Sequence, residues 1–359
     1  MSNNLKNVLV TGAGGIAGVN FIRAIKLESS LHIFGAEQND LHKIYAENIE
    51  ITDVPSPLET NYIEKLNDII TNLDISFLHP QPTPELQVIA KNRDNLEAKL
   101  FLPETSTILK DKSEQNKILH QNNISVTKTF DIKNLDDLEN FNNFLTFPVW
   151  VRAKKGAGGR LSIKCNSINE IKLWIELCVE QKRAKIDEFI IQEFLDGRDI
   201  AFDSLWYNGK LIISYCRERL EYPFSKLTMS GITGTPTISK IIHDENINKI
   251  CVEAVKKISN KPHGCFSIDL KEDKNGKPFI TEVDSGKFHT TIGLWGFLAE
   301  KNLKLPWYYN MPRLYTHLGM GGEIPVEEQI DIYPKNLYLF RNLDCGAWIR
   351  LNGVKSKVL

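Results

Sequence analysis

The sequence predicts an α/β chain that opens in a Rossmann-like unit with a parallel sheet and continues into two α+β units. Three observations carry this. Short apolar runs alternate with helical patterns over residues 1 to about 105, which is the pattern of βαβ units. A second unit begins near Lys110 with a helix, and a third, strand-rich unit begins near Glu188. With 359 residues and 42% hydrophobic content, the chain can bury the cores that two or three domains require.

Taken in order, Asn7–Thr11 reads as a strand, Val19–Leu27 as a helix and His32–Gly35 as a strand. Tyr62–Leu73 is a helix, Ile75–His79 a strand, and Glu85–Lys91 a helix. Pro80, Pro82 and Pro84 mark the loop after Ile75–His79, at the strand end where ligands gather in open α/β sheets. In the second unit, Asp111–Gln121 is helical, strands Pro148–Ala153 and Leu161–Cys165 flank the turn Lys154–Arg160, and Ile168–Glu180 is a helix. The third unit supplies strands Phe189–Glu193, Ile200–Tyr207 and Lys210–Arg217, a helix Glu245–Ile258, and strands Cys265–Leu270 and Pro278–Val283. The last two are joined by a polar turn, Glu272–Gly276, ending in Asn-Gly, and so form a hairpin. From about Leu303 the chain is aromatic-rich and ends in an apolar strand pattern, Leu337–Phe340.

Charged residues make up 25% of the chain and the net charge is −1, a balance without the basic face that tracks a nucleic-acid backbone. The polar start, Met1 to Asn7, runs straight into a strand and reads as no signal peptide. No apolar run approaches the roughly 18 residues of a membrane helix. Cys165, Cys178, Cys216, Cys251, Cys265 and Cys345 are scattered without CxxC spacing, as expected of buried thiols in a reduced cytoplasmic protein.

Val10-Thr-Gly-Ala-Gly-Gly-Ile-Ala-Gly18 sits between a strand and a helix, the setting of a dinucleotide fingerprint. Gly12, Gly15 and Gly18 satisfy the TGxxGxxG form of short-chain dehydrogenases and epimerases, Glu37 stands where a ribose-binding acid would, and Tyr222 and Lys226 have Tyr-x-x-x-Lys spacing. A NAD(P)-dependent oxidoreductase or epimerase is therefore a rival reading. Against it, Pro223 interrupts the helix that Tyr222 and Lys226 would share, and both lie beyond a second domain. Close strand-to-helix packing, or anion binding at this helix N-terminus, accounts for the glycines as well.

Later features agree with one another. Asp111-Lys112 opens a helix. Arg152 ends a strand and is followed by Lys154, Lys155 and the turn Gly156-Ala-Gly158-Gly159, where glycines beside cations can fold N–H groups over polyphosphate. An apolar strand ending in Glu193, Phe194 and Leu195 offers backbone hydrogen bonds and a slot for a purine, with Asp199 placed for ribose hydroxyls. Arg217 and Arg219 emerge on one side of the next strand. Asp269 and Glu282 lie on the two arms of the hairpin, with Asp284 on the face of Glu282, a set of hard oxygens suited to Mg²⁺.

In that order and spacing, the chain resembles the ATP-grasp ligases, in the style of the large subunit of carbamoyl-phosphate synthase. The resemblance covers nearly the whole chain to about residue 310, the Gly-rich start matching the pre-ATP-grasp domain. It implies a Rossmann-like pre-ATP-grasp domain over residues 1–108, ATP-grasp subdomain A over 109–188, and subdomain B with a C-terminal extension over 189–359. The two α+β subdomains would hold ATP between them. It further implies that Lys112 and Arg152 reach the ATP phosphates, together with Lys155, Gly158 and Gly159. Glu193, Phe194 and Leu195 would form the adenine hinge, and Asp199 would take the ribose. Arg219, with Arg217 and Lys287, would steady the γ-phosphate and an acyl phosphate. Asp269, Glu282 and Asp284 would hold Mg²⁺, with Mn²⁺ able to substitute. The family's Glu-x-Asn-x-Arg ending appears here as Glu282-Val-Asp-Ser-Gly-Lys287, with an added negative charge at Asp284 and the cation one residue late.

The implied activity is transfer of the γ-phosphoryl group of ATP to a carboxylate, followed by attack of an amine or thiol. His289 and Thr290, and more weakly Gln81, Thr83 and Glu85, are the residues expected at the acceptor pocket. The expected partners are small carboxylate and amine substrates, with no nucleic acid and no membrane. The sequence is silent on oligomeric state, although the resemblance makes a homodimer an option, dimers being common in the family. A non-catalytic ATP-binding module is the other alternative.

Overall fold

The computed structural model describes residues 5–46, 48–155, 159, 161–342 and 346–357. The first sheet is parallel, in the order β3-β2-β1-β4, from β1 (Lys6–Thr11), β2 (Leu31–Glu37), β3 (Glu50–Asp53) and β4 (Ile75–His79). Helices α1 (Ile16–Ile25), α2 (Tyr62–Asn72) and α3 (Thr83–Lys91) make the crossovers. Val8, Leu9 and Val10 are fully buried, because a parallel strand with helices on both faces has no solvent side. The short strand β3 was not anticipated; its residues Glu-Ile-Thr-Asp carry little apolar pattern.

After the short α4 (Thr105–Leu109), α5 (Lys112–Gln121) starts on a capping box: the Asp111 carboxylate accepts from the Glu114 N–H, and the Glu114 carboxylate accepts from the Asp111 N–H. The second sheet, antiparallel in the order β5-β8-β6-β7, contains β5 (Thr129–Asp131), β6 (Val149–Ala153), β7 (Ile163–Cys165) and β8 (Phe189–Glu193). Helix α6 (Ile168–Glu180) covers it with Ile171, Ile175 and Cys178.

The third sheet runs β13-β12-β9-β10-β11-β14-β15-β16 and is antiparallel throughout. Its strands are β9 (Asp199–Tyr207), β10 (Lys210–Glu221), β11 (Ile238–Ile242), β12 (Gly264–Glu272), β13 (Pro278–Ser285), β14 (Tyr338–Asn342), β15 (Gly346–Leu351) and β16 (Val354–Lys357). Helix α7 (Glu245–Ile258) packs on one face against Ile200 and Phe202. Alternation then turns Asp199, Ala201 and Asp203 to the opposite face.

Helices α8 (Ile292–Lys301) and α9 (Met311–Gly319) dock on α1 and join the first sheet to the third in one core. A Cβ on Gly293 would lie 2.2 Å from the Asn20 carbonyl oxygen, so that glycine is what lets α8 cross α1 so closely. The sequence reading passed over both helices. In α8 every residue from Ile292 to Ala299 is buried, so no polar stripe marks the 3.6-residue period.

The described cysteines, Cys165, Cys178, Cys216, Cys251 and Cys265, are free and buried; Cys345 lies outside the described residues. Among the described residues, no helix is long and apolar enough to cross a membrane.

Candidate active site

A cavity of about 730 Å³ opens where the three sheets meet. Trp150, Phe194, Leu195 and Leu270 line an apolar slot at one end. The Phe194 ring lies beside Trp150 and under the Lys164 ammonium, 4.4 Å from the ring centre. Glu193, the last residue of β8, accepts the Lys128 N–H through its carboxylate at 2.8 Å, which ties the strand end to the segment before β5.

Next to the slot, Glu282 is gripped by two cations from the second unit. Lys112 Nζ lies 2.8 Å from its Oε1, and Arg152 donates to its Oε2 at 2.8 Å. The capping box holds Lys112 at the first position of α5, and β6 carries Arg152 at its end, so both are fixed by backbone. Gly159 is part of the cavity wall, its φ of +71° in the left-handed region and its missing Cβ replaced by the close Ile232 carbonyl. Gly158 lies outside the described residues. Lys155 is exposed and is not a wall of the cavity, while Lys154 turns away to the Asp187 carbonyl and Asp131. The cationic turn thus gives the cavity a glycine rather than its lysines.

Asp269 and Glu282 are directly paired across β12 and β13, with a bulge after Asp269. Asp269 binds the Arg219 guanidinium, which also donates to Asp199 at 3.1 Å. Asp199 in turn accepts from the Tyr222 hydroxyl at 2.9 Å. Burial alone would raise the Asp269 carboxyl, but Arg219 and His289 outweigh it and hold the group below its usual range.

Asp284, two residues beyond Glu282, binds Lys287 Nζ at 3.2 Å and His289 Nε2 at 3.2 Å. The other ring nitrogen of His289 faces Asp203 at 3.4 Å, and Arg217 donates to Asp203 at 2.6 Å. Burial works against the His289 cation, yet Asp269, Asp203 and Asp284 push its pKa up to about 9. Burial opposes the Lys287 cation too, and Asp284 and Glu282 raise its pKa nonetheless. Thr290 lines the cavity, its hydroxyl donating to Thr235 at 2.8 Å.

From the first unit, Gln81 reaches the cavity and is locked between His79 and the Phe288 carbonyl, and Thr83 accepts from Lys287 at 2.9 Å. Glu85 does not reach it. Its buried carboxyl accepts from the Tyr62 hydroxyl at 2.7 Å and lies against Thr11 at the end of β1, so it is taken up inside the first unit.

The dinucleotide reading fails on local geometry. Buried Glu37 accepts the Gly14 N–H at 2.9 Å, taking a donor that a pyrophosphate would need. A Cβ on Gly14 would sit 2.2 Å from the His42 carbonyl, so at that residue the chain itself covers the loop. Tyr222 follows β10 directly, and Lys226 lies in a single 3₁₀ turn, Ser225–Leu227, so they share no helix.

No protein-family model matches the chain, and no curated protein matches it in sequence. Its fold, however, is found in solved structures over almost its full length. An L-amino acid ligase from Bacillus licheniformis superposes with a TM-score of 0.68 at 15% identity, over 94% of this chain and 80% of that one. N5-carboxyaminoimidazole synthetase from Staphylococcus aureus, complexed with ADP, gives 0.69 at 14%, over 95% and 84%. The biotin carboxylase domain of 2-oxoglutarate carboxylase from Hydrogenobacter thermophilus, complexed with MgADP, ADP and bicarbonate, gives 0.69 at 14%, over 93% and 73%. The chain has the ATP-grasp fold.

Within that fold, the donor set suits a nucleotide with its metal. Among the described residues no cluster of three His, Cys, Asp or Glu could by itself hold a metal ion. Mg²⁺ is typically bound by one or two carboxylates plus substrate phosphates, so the paired Asp269 and Glu282 fit a metal that arrives with its nucleotide. Two residues at the site were missed. Asp203 is fully buried at the centre of the ionic cluster, and its signal was a lone carboxylate inside the apolar strand Ile200–Tyr207. Tyr222 was noticed only as part of the rival motif.

Proposed function

We propose that the chain is an ATP- and Mg²⁺-dependent ligase that joins a carboxylate to an amine or thiol through an acyl phosphate, releasing ADP and phosphate. The observation that carries this reading is the position of Glu282, held by Lys112 and Arg152 and paired across the strands with Asp269, which binds Arg219, beside an apolar slot lined by Trp150, Phe194, Leu195 and Leu270. In this reading Glu193, Phe194 and Leu195 hold the base, Asp199 the ribose, and Lys112, Arg152 and Gly159 the phosphates. Residues 1–108, 109–188 and 189–359 are the pre-ATP-grasp domain, subdomain A and subdomain B with its extension.

The substrate carboxylate oxygen bonds to the γ-phosphorus as the bond to the β-phosphate bridging oxygen breaks. The amine then attacks the carbonyl carbon, phosphate leaves with the bonding pair, and the amine loses a proton. Such chemistry needs positioning and charge neutralisation more than a nucleophilic side chain. Arg219, Arg217 and Lys287 face the developing charge, and His289, as a cation, adds to it. Asp269, Glu282 and Asp284 would hold Mg²⁺, or Mn²⁺ in its place, which supplies neutralisation of the phosphate oxygens. The enzyme acts in the cytoplasm, as a homodimer, on small molecules.

The test is phosphate release from Mg·ATP across a panel of carboxylates and amines. Glu282→Gln is expected to lower it about a hundredfold or more, the scale on which removal of one preorganised charged group acts. Full activity in that variant, or a thermal shift with NAD and none with Mg·ATP, overturns the reading. Binding of Mg·ATP without release for any pair would assign a non-catalytic nucleotide module instead.

A further inference from the structure

In the ionic cluster the arginines and lysines are matched to carboxylates. Lys112 and Arg152 hold Glu282, Arg219 holds Asp269, Arg217 holds Asp203, and Lys287 holds Asp284. Arg341, on β14, is not matched in this way. Among the described residues its guanidinium has the Thr235 hydroxyl as its partner, at 2.9 Å, and no carboxylate pairs with it. It is partly buried, and burial together with the charge of Arg23 pushes its pKa down. A guanidinium drawn out of water beside another cation is costly unless an anion joins it.

Two chains of hydrogen bonds tie this charge to the cavity, and both end on Thr290, which lines it. Arg341 donates to Thr235, and Thr235 shares a 2.8 Å hydrogen bond with the Thr290 hydroxyl. Arg23 donates to the Asn20 side-chain oxygen at 2.8 Å, and the Asn20 amide donates to the Thr290 carbonyl at 2.7 Å. Gly234 and Pro236, on either side of Thr235, line the cavity as well. Of the protons on the two hydroxyls, one is used in the bond between them, and the other has no acceptor among the described residues. Because Thr235 accepts from Arg341, it can donate to Thr290 and leave the Thr290 proton for an acceptor in the cavity. The first turn of α1 lines the cavity one turn before Asn20 and contains no acid, so its positive end is not offset there.

We infer that Thr290, backed by Thr235 and Arg341, is an anion subsite, and that the acid taken by the cavity carries a second anionic group, a carboxylate or a phosphate, seated there. The inference rests on the ligase reading of the same cavity and names the class of acid it takes. In that reading the reacting carboxylate lies at Arg219 and Lys287, so the anion at Thr290 is an additional one. A hydroxyl that accepts from a guanidinium becomes a stronger donor, and the charge of Arg341 reaches the anion through one intervening side chain. Hydrogen bonding to a charged group is worth about ten- to a hundredfold in affinity.

The experiment measures binding to the full chain with Mg·ADP, at constant ionic strength, of acids matched in length. Butyrate is set against succinate, hexanoate against adipate, and 3-phosphonopropionate against succinate. A doubly anionic acid is expected to bind tighter than its monocarboxylate partner by the factor above, and the advantage should shrink as salt rises. Tighter binding of 3-phosphonopropionate than of succinate assigns a phosphate to the subsite, and the reverse assigns a carboxylate. Arg341→Met and Thr235→Val should bring the ratio towards one. Arg341→Lys and Thr235→Ser should keep most of it, which separates loss of the charge or the hydroxyl from loss of the fold. A ratio near one at every length in the unaltered chain, no binding of any member, or a ratio that survives in both Arg341→Met and Thr235→Val overturns the subsite. A clear preference without phosphate release for any acid and amine would keep the subsite and remove the ligase reading, whereas release with a ratio near one would do the reverse.

Discussion

Replacing Asp203 by Ala should cost more stability than almost any other polar substitution in the chain. Asp203 is fully buried, Arg217 is 1% exposed, and they meet at 2.6 Å. Charges about 4 Å apart attract by about 4 kcal/mol at an effective dielectric near 20. Removing one partner of such a pair strands the other charge away from water, at a typical cost of about 3–5 kcal/mol. Asp203→Ala should therefore destabilise by that amount, and Arg217→Met by a similar one. The double variant Asp203→Leu with Arg217→Met strands no guanidinium and should fall within about 2 kcal/mol of the parent, giving a coupling of about 3 kcal/mol or more. Urea unfolding followed by far-ultraviolet dichroism and tryptophan fluorescence reads all three, provided the transitions coincide. A cost below about 1 kcal/mol for Asp203→Ala, or zero coupling, would refute the argument that this pair is buried and mutually dependent. The double variant should also lose phosphate release while staying folded, which separates the pair's structural role from its place beneath the site.

Two further outcomes follow from the first unit. Burial raises the Glu85 carboxyl above its usual value, and its hydrogen bonds to Tyr62 and Thr11 only partly offset this. The folded chain then keeps the proton longer than the unfolded one, so the stability linked to Glu85 is full below about pH 4.5 and is lost as pH rises through the folded value. Glu85→Gln should remove that loss, its Tm advantage growing as pH rises above 4.5; an advantage that shrinks instead would reverse the sign. Gly293→Ala forces a Cβ to within 2.2 Å of the Asn20 carbonyl oxygen and should cost about 1–3 kcal/mol, read as a lower Tm. A neutral result would mean that α8 can shift off α1 without penalty.

The sequence made the third unit legible because its strands are long and the β12–β13 hairpin is marked by Asn-Gly, so Asp269 and Glu282 could be paired before any coordinates. Helix ends were read best where a side chain caps them, as Asp111 does for α5. Elements whose burial comes from distant packing were not legible. Helix α8 is apolar all round, so no local period announces it, whereas α9 carries Met311, Leu314, Tyr315 and Leu318 at helical spacing, a period that was there to be read. The same limit applies to the site. A lysine in a glycine-rich turn looks like a phosphate ligand, yet Lys154 answers to Asp131 and Asp187, and Lys155 to solvent. Glu85 lies three residues past Pro82, yet its carboxyl is taken up by Tyr62 of α2 and Thr11 at the end of β1, partners that local spacing does not show.

The pairing pattern explains how so many charges can be held in one cavity. Asp269 is neutralised by Arg219, Glu282 by Lys112 and Arg152, and Asp284 by Lys287 and His289, and in each case some of the cations come from another element of the chain. Isolated, any one of these buried ions would be too costly to keep charged. Together they are preorganised, so polyphosphate entering with a divalent cation would exchange one set of partners for another rather than desolvate bare charges. Lys112 and Arg152 would move from Glu282 to phosphate oxygens, and the carboxylates would turn to the metal. The stake in that exchange is highest at Glu282, the only one of the three carboxylates that links β13 to both α5 and β6. In the proposed reading, the contacts that join α5 and β6 to β13 at Glu282 would be the ones exchanged on nucleotide binding.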